Sequence, residues 1–97
     1  MEITTSSNDV TIKGNIKTIS DFQQIKQLLD NMVASHKHKT VILNITDSLS
    51  MTSSVIGYFN KLVLKDKINI QMRIGNQQLL ELLTDLNLAS TFNTKKA

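Results

Sequence analysis

Ninety-seven residues make one domain, which on folding buries roughly 60–65% of the surface its extended chain exposes; that is room for one core and not for a deep substrate cavity beside it. With 40% apolar and 20% charged residues, three glycines, no proline and no cysteine, the composition excludes a disordered chain and a disulfide scaffold. A net charge of +3 is a mild excess, and three of the four aromatics (Phe22, Tyr58, Phe59, Phe92) stand at apolar-periodic positions, so no nucleic-acid partner is expected.

The first six residues carry neither a basic nor an apolar stretch. No apolar run exceeds three residues, against the roughly 20 that span a bilayer. A cytoplasmic protein without membrane insertion is the expectation.

Residues 2–5 and 10–13 read as two short strands, with turn chemistry in Ser6, Ser7, Asn8 and Asp9 between them. Val10 and Ile12 alternate with Thr11 and Lys13, which suits a half-buried strand. Ser20 with Gln23 makes a capping-box pattern that opens a helix. Phe22, Ile25, Leu28, Leu29, Met32 and Val33 then form one apolar stripe, fading near Ser35. His36, Lys37, His38 and Lys39 read as a solvated loop. As a metal site, His36 and His38 have no carboxylate or thiol ligand close by in sequence.

Residues 40–46 form the strongest strand: Val41, Leu43 and Ile45 share one face, and Ile42 is apolar on the other, which predicts a central position. Residues 47–51 connect it to a second helix that starts at about Ser53 and carries Val55, Ile56, Phe59, Leu62 and Val63 at helical spacing. Residues 68–74 alternate, with Ile68, Ile70, Met72 and Ile74 inward, until Gly75 and Asn76. A third helix runs from Gln77 to Leu86, buried through Leu79, Leu80, Leu83 and Leu86, with Asn87 as a left-handed stop. The predicted fold class is α/β in the order ββαβαβα over a single domain, 1–97: a mixed β-sheet backed by about three helices, its hairpin antiparallel and its crossovers parallel. The edge strand 2–5 offers a second copy a pairing surface, so a monomer or weak dimer is expected.

No phosphate-binding loop, dinucleotide fingerprint or metalloprotease motif occurs, and no acid, histidine and nucleophile group together, so no catalytic residue, cofactor or metal is assigned and the chain is not expected to be an enzyme. One segment stands out. Ser50, Thr52, Ser53 and Ser54 place four hydroxyls at a helix N-terminus. One reading is capping by Thr52 or Ser53. The other is a phosphorylation switch, since a phosphate there meets free N–H donors and the positive end of the helix dipole.

Residues 41–57, with the sequence VILNITDSLSMTSSVIG, resemble the signature of STAS domains, the family of bacterial anti-sigma-factor antagonists: a hydrophobic strand, a loop, then an Asp-Ser-Ser/Thr-Gly-Leu/Ile-Gly turn opening a helix. Gly14 falls where the family ends an early strand. Residues 83–92 are similar to its closing Leu-x-x-x-Gly-Leu-x-x-x-Phe pattern, with Asn87 in the glycine's place and Leu88 and Phe92 following. The resemblance covers most of the chain, from Val10 to Phe92.

It implies a STAS fold and a partner-switching regulator. Such a protein binds an anti-sigma-factor or serine-kinase-like partner when bare and releases it when phosphorylated, with a PP2C-type phosphatase as a further partner. Ser53 matches the phosphorylated serine, Ser54 the next hydroxyl and Gly57 the second glycine. The implied partner surface holds Ser50, Thr52, Ser53, Ser54, Val55 and Gly57. Thr52 stands where the family has Asp, Val55 where it has its first Gly, and Lys17 where it has an acid. The alternative implied by the same resemblance is an unphosphorylated subunit that caps the ATPase of a lipid-transport ABC system through the same surface.

Overall fold

The computed structural model describes residues 1–35 and 40–97. The run of His36, Lys37, His38 and Lys39, with the two histidines considered as a metal pair, lies outside the described residues.

The chain begins as a hairpin of β1 (Glu2–Ser6) and β2 (Asp9–Lys13), closed by a two-residue turn in which Ser7 takes a left-handed φ of 56°. Three parallel crossovers follow, through α1 (Ile19–Ser35) to β3 (Thr40–Ile45), α2 (Ser53–Leu64) to β4 (Asn69–Ile74), and α3 (Gln77–Asp85) to β5 (Lys95–Lys96). The strands lie in chain order, β1-β2-β3-β4-β5. The order read from the sequence lacks β5. Two adjacent lysines carry no periodicity, so only their register against Arg73 and Ile74 makes them a strand.

Crossovers of one hand, taken in one direction, put every helix on the same face of the sheet. Burial follows that rule. Val10, Ile12, Val41, Leu43, Ile45, Ile70, Met72 and Ile74 are buried beneath the helices. The alternate residues of β4, Asn69, Gln71 and Arg73, are exposed on the other face. β3 is central, as its two apolar faces predict, but Ile42 is only half-buried because no layer covers that second face.

Each helix is bounded by a local device. Thr18 Oγ1 accepts from Asp21 N at 3.0 Å, and Asp21 Oδ2 accepts from Thr18 N at 3.1 Å and Lys17 N at 2.9 Å. This is the capping box of α1, two residues before the predicted pair Ser20 and Gln23. A charged acceptor at the third helical position suits the helix dipole better than a glutamine amide. Asn76 caps α3 by accepting from Leu79 N. At the far end Asn87, at φ 59°, donates to Thr84 O at 3.0 Å, while Leu88 N donates to Leu83 O at 2.9 Å. Both bonds of the Schellman motif are therefore formed, and Asn87 is the left-handed stop its type predicts. Leu86 differs from expectation: it stands at the cap and is 48% exposed.

A row of aromatics ties the helical layer together. Phe22 meets Tyr58 edge-on at 6.2 Å between centroids, Tyr58 lies 6.1 Å from Phe59, and Phe59 meets Phe92 edge-on at 6.1 Å. The buried Tyr58 hydroxyl donates to Asp30 Oδ1 at 2.6 Å, linking α2 to α1. Burial, then the Asp30 bond, raises the Tyr58 phenol well above its usual range. Desolvation opposes ionisation of Asp30, but its bonds from Lys26 and Tyr58 prevail and lower its carboxyl below the usual range.

Gly75 is required by contact. A Cβ there would lie 2.1 Å from Thr46 O, and Gly75 N already donates to Ile45 O at 2.9 Å. Gly75→Ala is expected to cost about 2 kcal/mol or more, since backbone and not a flexible side chain must yield; urea unfolding measures it. The backbone N–H groups of Lys17 and Thr18 lower Asp21 as well. Asp21 and Asp30 thus titrate lower folded than unfolded. Their stabilisation is complete above the unfolded value of about 4 and is lost as pH falls through the lower folded values. Melting temperature should hold between neutrality and about pH 5, then drop below about pH 4. Asp30→Asn should flatten part of that drop, which melting curves across pH will show.

Candidate functional site

The carboxyl ends of β2 and β3 point to the same end of the sheet, because the strands are parallel. The loops that leave them zip together. Asp47 Oδ1 accepts from Gly14 N at 2.7 Å, Ser48 Oγ accepts from Ile16 N at 3.1 Å, and Leu49 N donates to Asn15 Oδ1 at 3.0 Å. Gly14 sits at φ +86°, which a side chain rarely adopts, so the glycine lets β2 turn into this contact. The Gly14 N–H bond, then the Thr46 hydroxyl, holds the Asp47 carboxyl below its usual range.

Ser48 is fully buried, and its hydroxyl also donates to Ser50 O at 2.7 Å. Both its polar functions are used inside the protein. Met51 is buried as well and belongs to the hydrophobic core. The segment between β3 and α2 is therefore braced before the helix starts.

Thr52 is the N-cap of α2: its Oγ1 accepts from Val55 N at 3.3 Å, and its carbonyl accepts from Ile56 N at 3.0 Å. Ser53 and Ser54 are the first two helical residues; both are exposed, and their amides have no hydrogen-bond partner among the described residues. No acid lies in that first turn.

Of the residues expected on one partner surface, Ser50, Ser53, Ser54 and Gly57 are exposed and Thr52 is half-exposed at the cap. Val55 differs. It is fully buried, one helical turn before Phe59 and on the same inward face, so it belongs to the core and not to the surface. A Cβ at Gly57 would meet nothing within 4 Å, so the glycine leaves this part of α2 flat without any packing need.

A hollow of about 310 Å³ lies between the starts of α1 and α2, lined by Lys17, Thr18, Ile19, Phe22, Thr52 and Ser54. Sequence reasoning left Ile19 and Phe22 out of the site. Ile19 is 77% exposed. Its signal is an apolar side chain directly after a helix cap, outside the stripe that the helix buries. Lys17 shares this hollow with Ser54, a juxtaposition that depends on the zipped loops.

Among the described residues, no group of three or more His, Asp or Glu is placed to hold a metal ion, and no helix is long and apolar enough to cross a membrane. Comparison with known protein families, with curated proteins and with solved structures found no match.

Ser48→Ala would leave Ile16 N and Ser50 O without their partner in a buried place. A loss of about 1–3 kcal/mol is expected. Amide exchange at Ile16 should accelerate more than exchange at Leu43, and hydrogen-exchange NMR separates the two.

Proposed function

We propose that this chain is a protein-docking regulator of the STAS type, which binds a partner through the exposed start of α2 and is switched by phosphorylation of Ser53. The observation that carries the reading is the braced turn between β3 and α2, which holds an exposed serine at the first position of a capped helix beside an apolar-lined hollow. A five-stranded mixed sheet with three helices is compatible with the α/β fold that the resemblance implies, although β5 extends the expected order.

Two further observations support it. Val55 stands where the family has glycine, but its side chain enters the core, so the relief of the docking surface is the same as with glycine. Lys17, in place of an acid, lines the hollow with Ser54. Kinase transfer of a phosphoryl group to Ser53 Oγ would put about two negative charges beside the unpaired amides that open α2. The bare surface offers a partner Ile19, Phe22 and the flat stretch at Gly57; the phosphorylated one adds charge that an apolar contact must desolvate.

The partner class is an anti-sigma-factor or serine-kinase-like protein, with a PP2C-type phosphatase restoring the bare serine. Pull-down from the native host, read by intact-mass and phosphopeptide spectrometry, tests this. A kinase-like partner and a fraction one phosphate heavier at Ser53 are expected. Ser53→Asp should weaken binding at least tenfold, about 1.4 kcal/mol, while Ser53→Ala should keep it. Equal binding by both variants sinks the switch. A Ser53 that is always bare, with stoichiometric recovery of a transporter ATPase, would make the chain a permanent subunit instead.

A further inference from the structure

The sheet has a bare face, and charge is unevenly placed on it. At the β1–β2 side opposite charges face each other, Glu2 in register with Lys13, and the Asp9 carboxylate accepts a hydrogen bond from the Asn44 amide. At the β4–β5 side, Arg73 stands in register with Lys95 on the parallel neighbour. Like charges directly opposite one another on adjacent strands repel. Neither cation has an acidic partner among the described residues, whose ion pairs are Lys26 with Asp30 and Lys61 with Asp66.

These two cations border a hollow of about 300 Å³, lined also by Asn69, Gln71, Met72 and Asn93. Asn93 Nδ2 donates to Asn69 Oδ1 at 3.1 Å and to Ile70 O at 2.9 Å. That bond fixes the orientation of Asn69 and leaves its amide N–H groups without an acceptor among the described residues. Gln71, exposed between them, is likewise unengaged. The hollow therefore offers donors from four side chains and no acid.

We propose that this hollow is an oxyanion site, in which Arg73, Lys95 and the carboxamides of Asn69 and Gln71 hold one phosphate group of a small phosphorylated molecule. A guanidinium matches two phosphate oxygens at once, and a nearby ammonium supplies the second charge of the dianion. A carboxylate has only one charge and two oxygens, too few for this donor set. A nucleic-acid strand fits less well. The four aromatics belong to the helical layer, three of them buried there, so bases find no stacking platform on this face. The site is on the opposite face of the sheet from the helices and so is separate from the start of α2.

Titration of the ¹⁵N-labelled full chain with inorganic phosphate, with a nucleoside monophosphate and with acetate at low ionic strength tests the assignment. Saturable shifts are expected at residues 71–73 and 93–95, with a Kd on the order of 1 mM for phosphate and little response to acetate. Equal affinity for phosphate and the monoester identifies the free ion as the ligand; tighter binding of the monoester shows that the rest of the molecule is held too. The Arg73→Gln/Lys95→Gln chain, with an otherwise unchanged spectrum, should bind at least tenfold more weakly. Lys95→Glu should abolish the response and raise the melting temperature without phosphate, since it supplies Arg73 with a partner. The proposal is overturned by shifts centred on residues 53–55, by undiminished binding in the double variant, or by binding of a single-stranded oligonucleotide with none of either phosphate.

Discussion

Winding in one direction governs this molecule. Each crossover carries the chain from one strand to the next parallel neighbour, and strand twist allows these crossovers only one hand. Three in succession place α1, α2 and α3 on one face and leave the other bare. Parallel sheets are usually covered on both faces, so their strands tend to be continuously apolar. Here the strands must alternate. β4 does so completely, with Ile70, Met72 and Ile74 beneath the helices and Asn69, Gln71 and Arg73 in water. β3 alone carries an apolar residue, Ile42, on the bare side.

The same winding brings the exits of β2 and β3 together at one end of the sheet. Open α/β sheets place their sites at the carboxyl ends of strands for this reason. What distinguishes this chain is that the two exits are bonded residue to residue, Gly14 to Asp47, Asn15 to Leu49 and Ile16 to Ser48. The hydroxyls of the following segment then divide by burial. Ser48 is spent on the loop and Thr52 on the helix cap, while Ser50, Ser53 and Ser54 remain in water. Of the three exposed hydroxyls, Ser53 and Ser54 are held on the first turn of α2.

The helical layer is held by an aromatic row from Phe22 through Tyr58 and Phe59 to Phe92. It begins beside the hollow at the start of α1 and ends at the turn before β5, where Phe92 O accepts from Met72 N. The hydroxyl of the buried Tyr58 needs a partner, and Asp30 provides it. Packing along this row accounts for Phe92 being fully buried although it lies in no helix or strand.

Much of this was legible in the chain itself. Period-two alternation marked β2, β3 and β4, helical stripes marked α1, α2 and α3, and Asn87 marked the end of α3, because each depends on neighbours within a turn or two. The hydroxyl-rich opening of α2 was visible for the same reason, and the STAS resemblance drew attention to Ser53. Tertiary structure decided the rest. The capping box at the start of α1 is Thr18 with Asp21 and not the expected Ser20 with Gln23, because the Asp21 carboxylate accepts from the Lys17 and Thr18 amides. Val55 turned out to be core, Ser48 a buried brace and Ile19 an exposed neighbour of the site. β5, the need for glycine at position 75 and the meeting of Arg73 with Lys95 all depend on strand register. Periodicity tells which way a side chain faces; which distant residue it meets there is set by how strands more than twenty residues apart align.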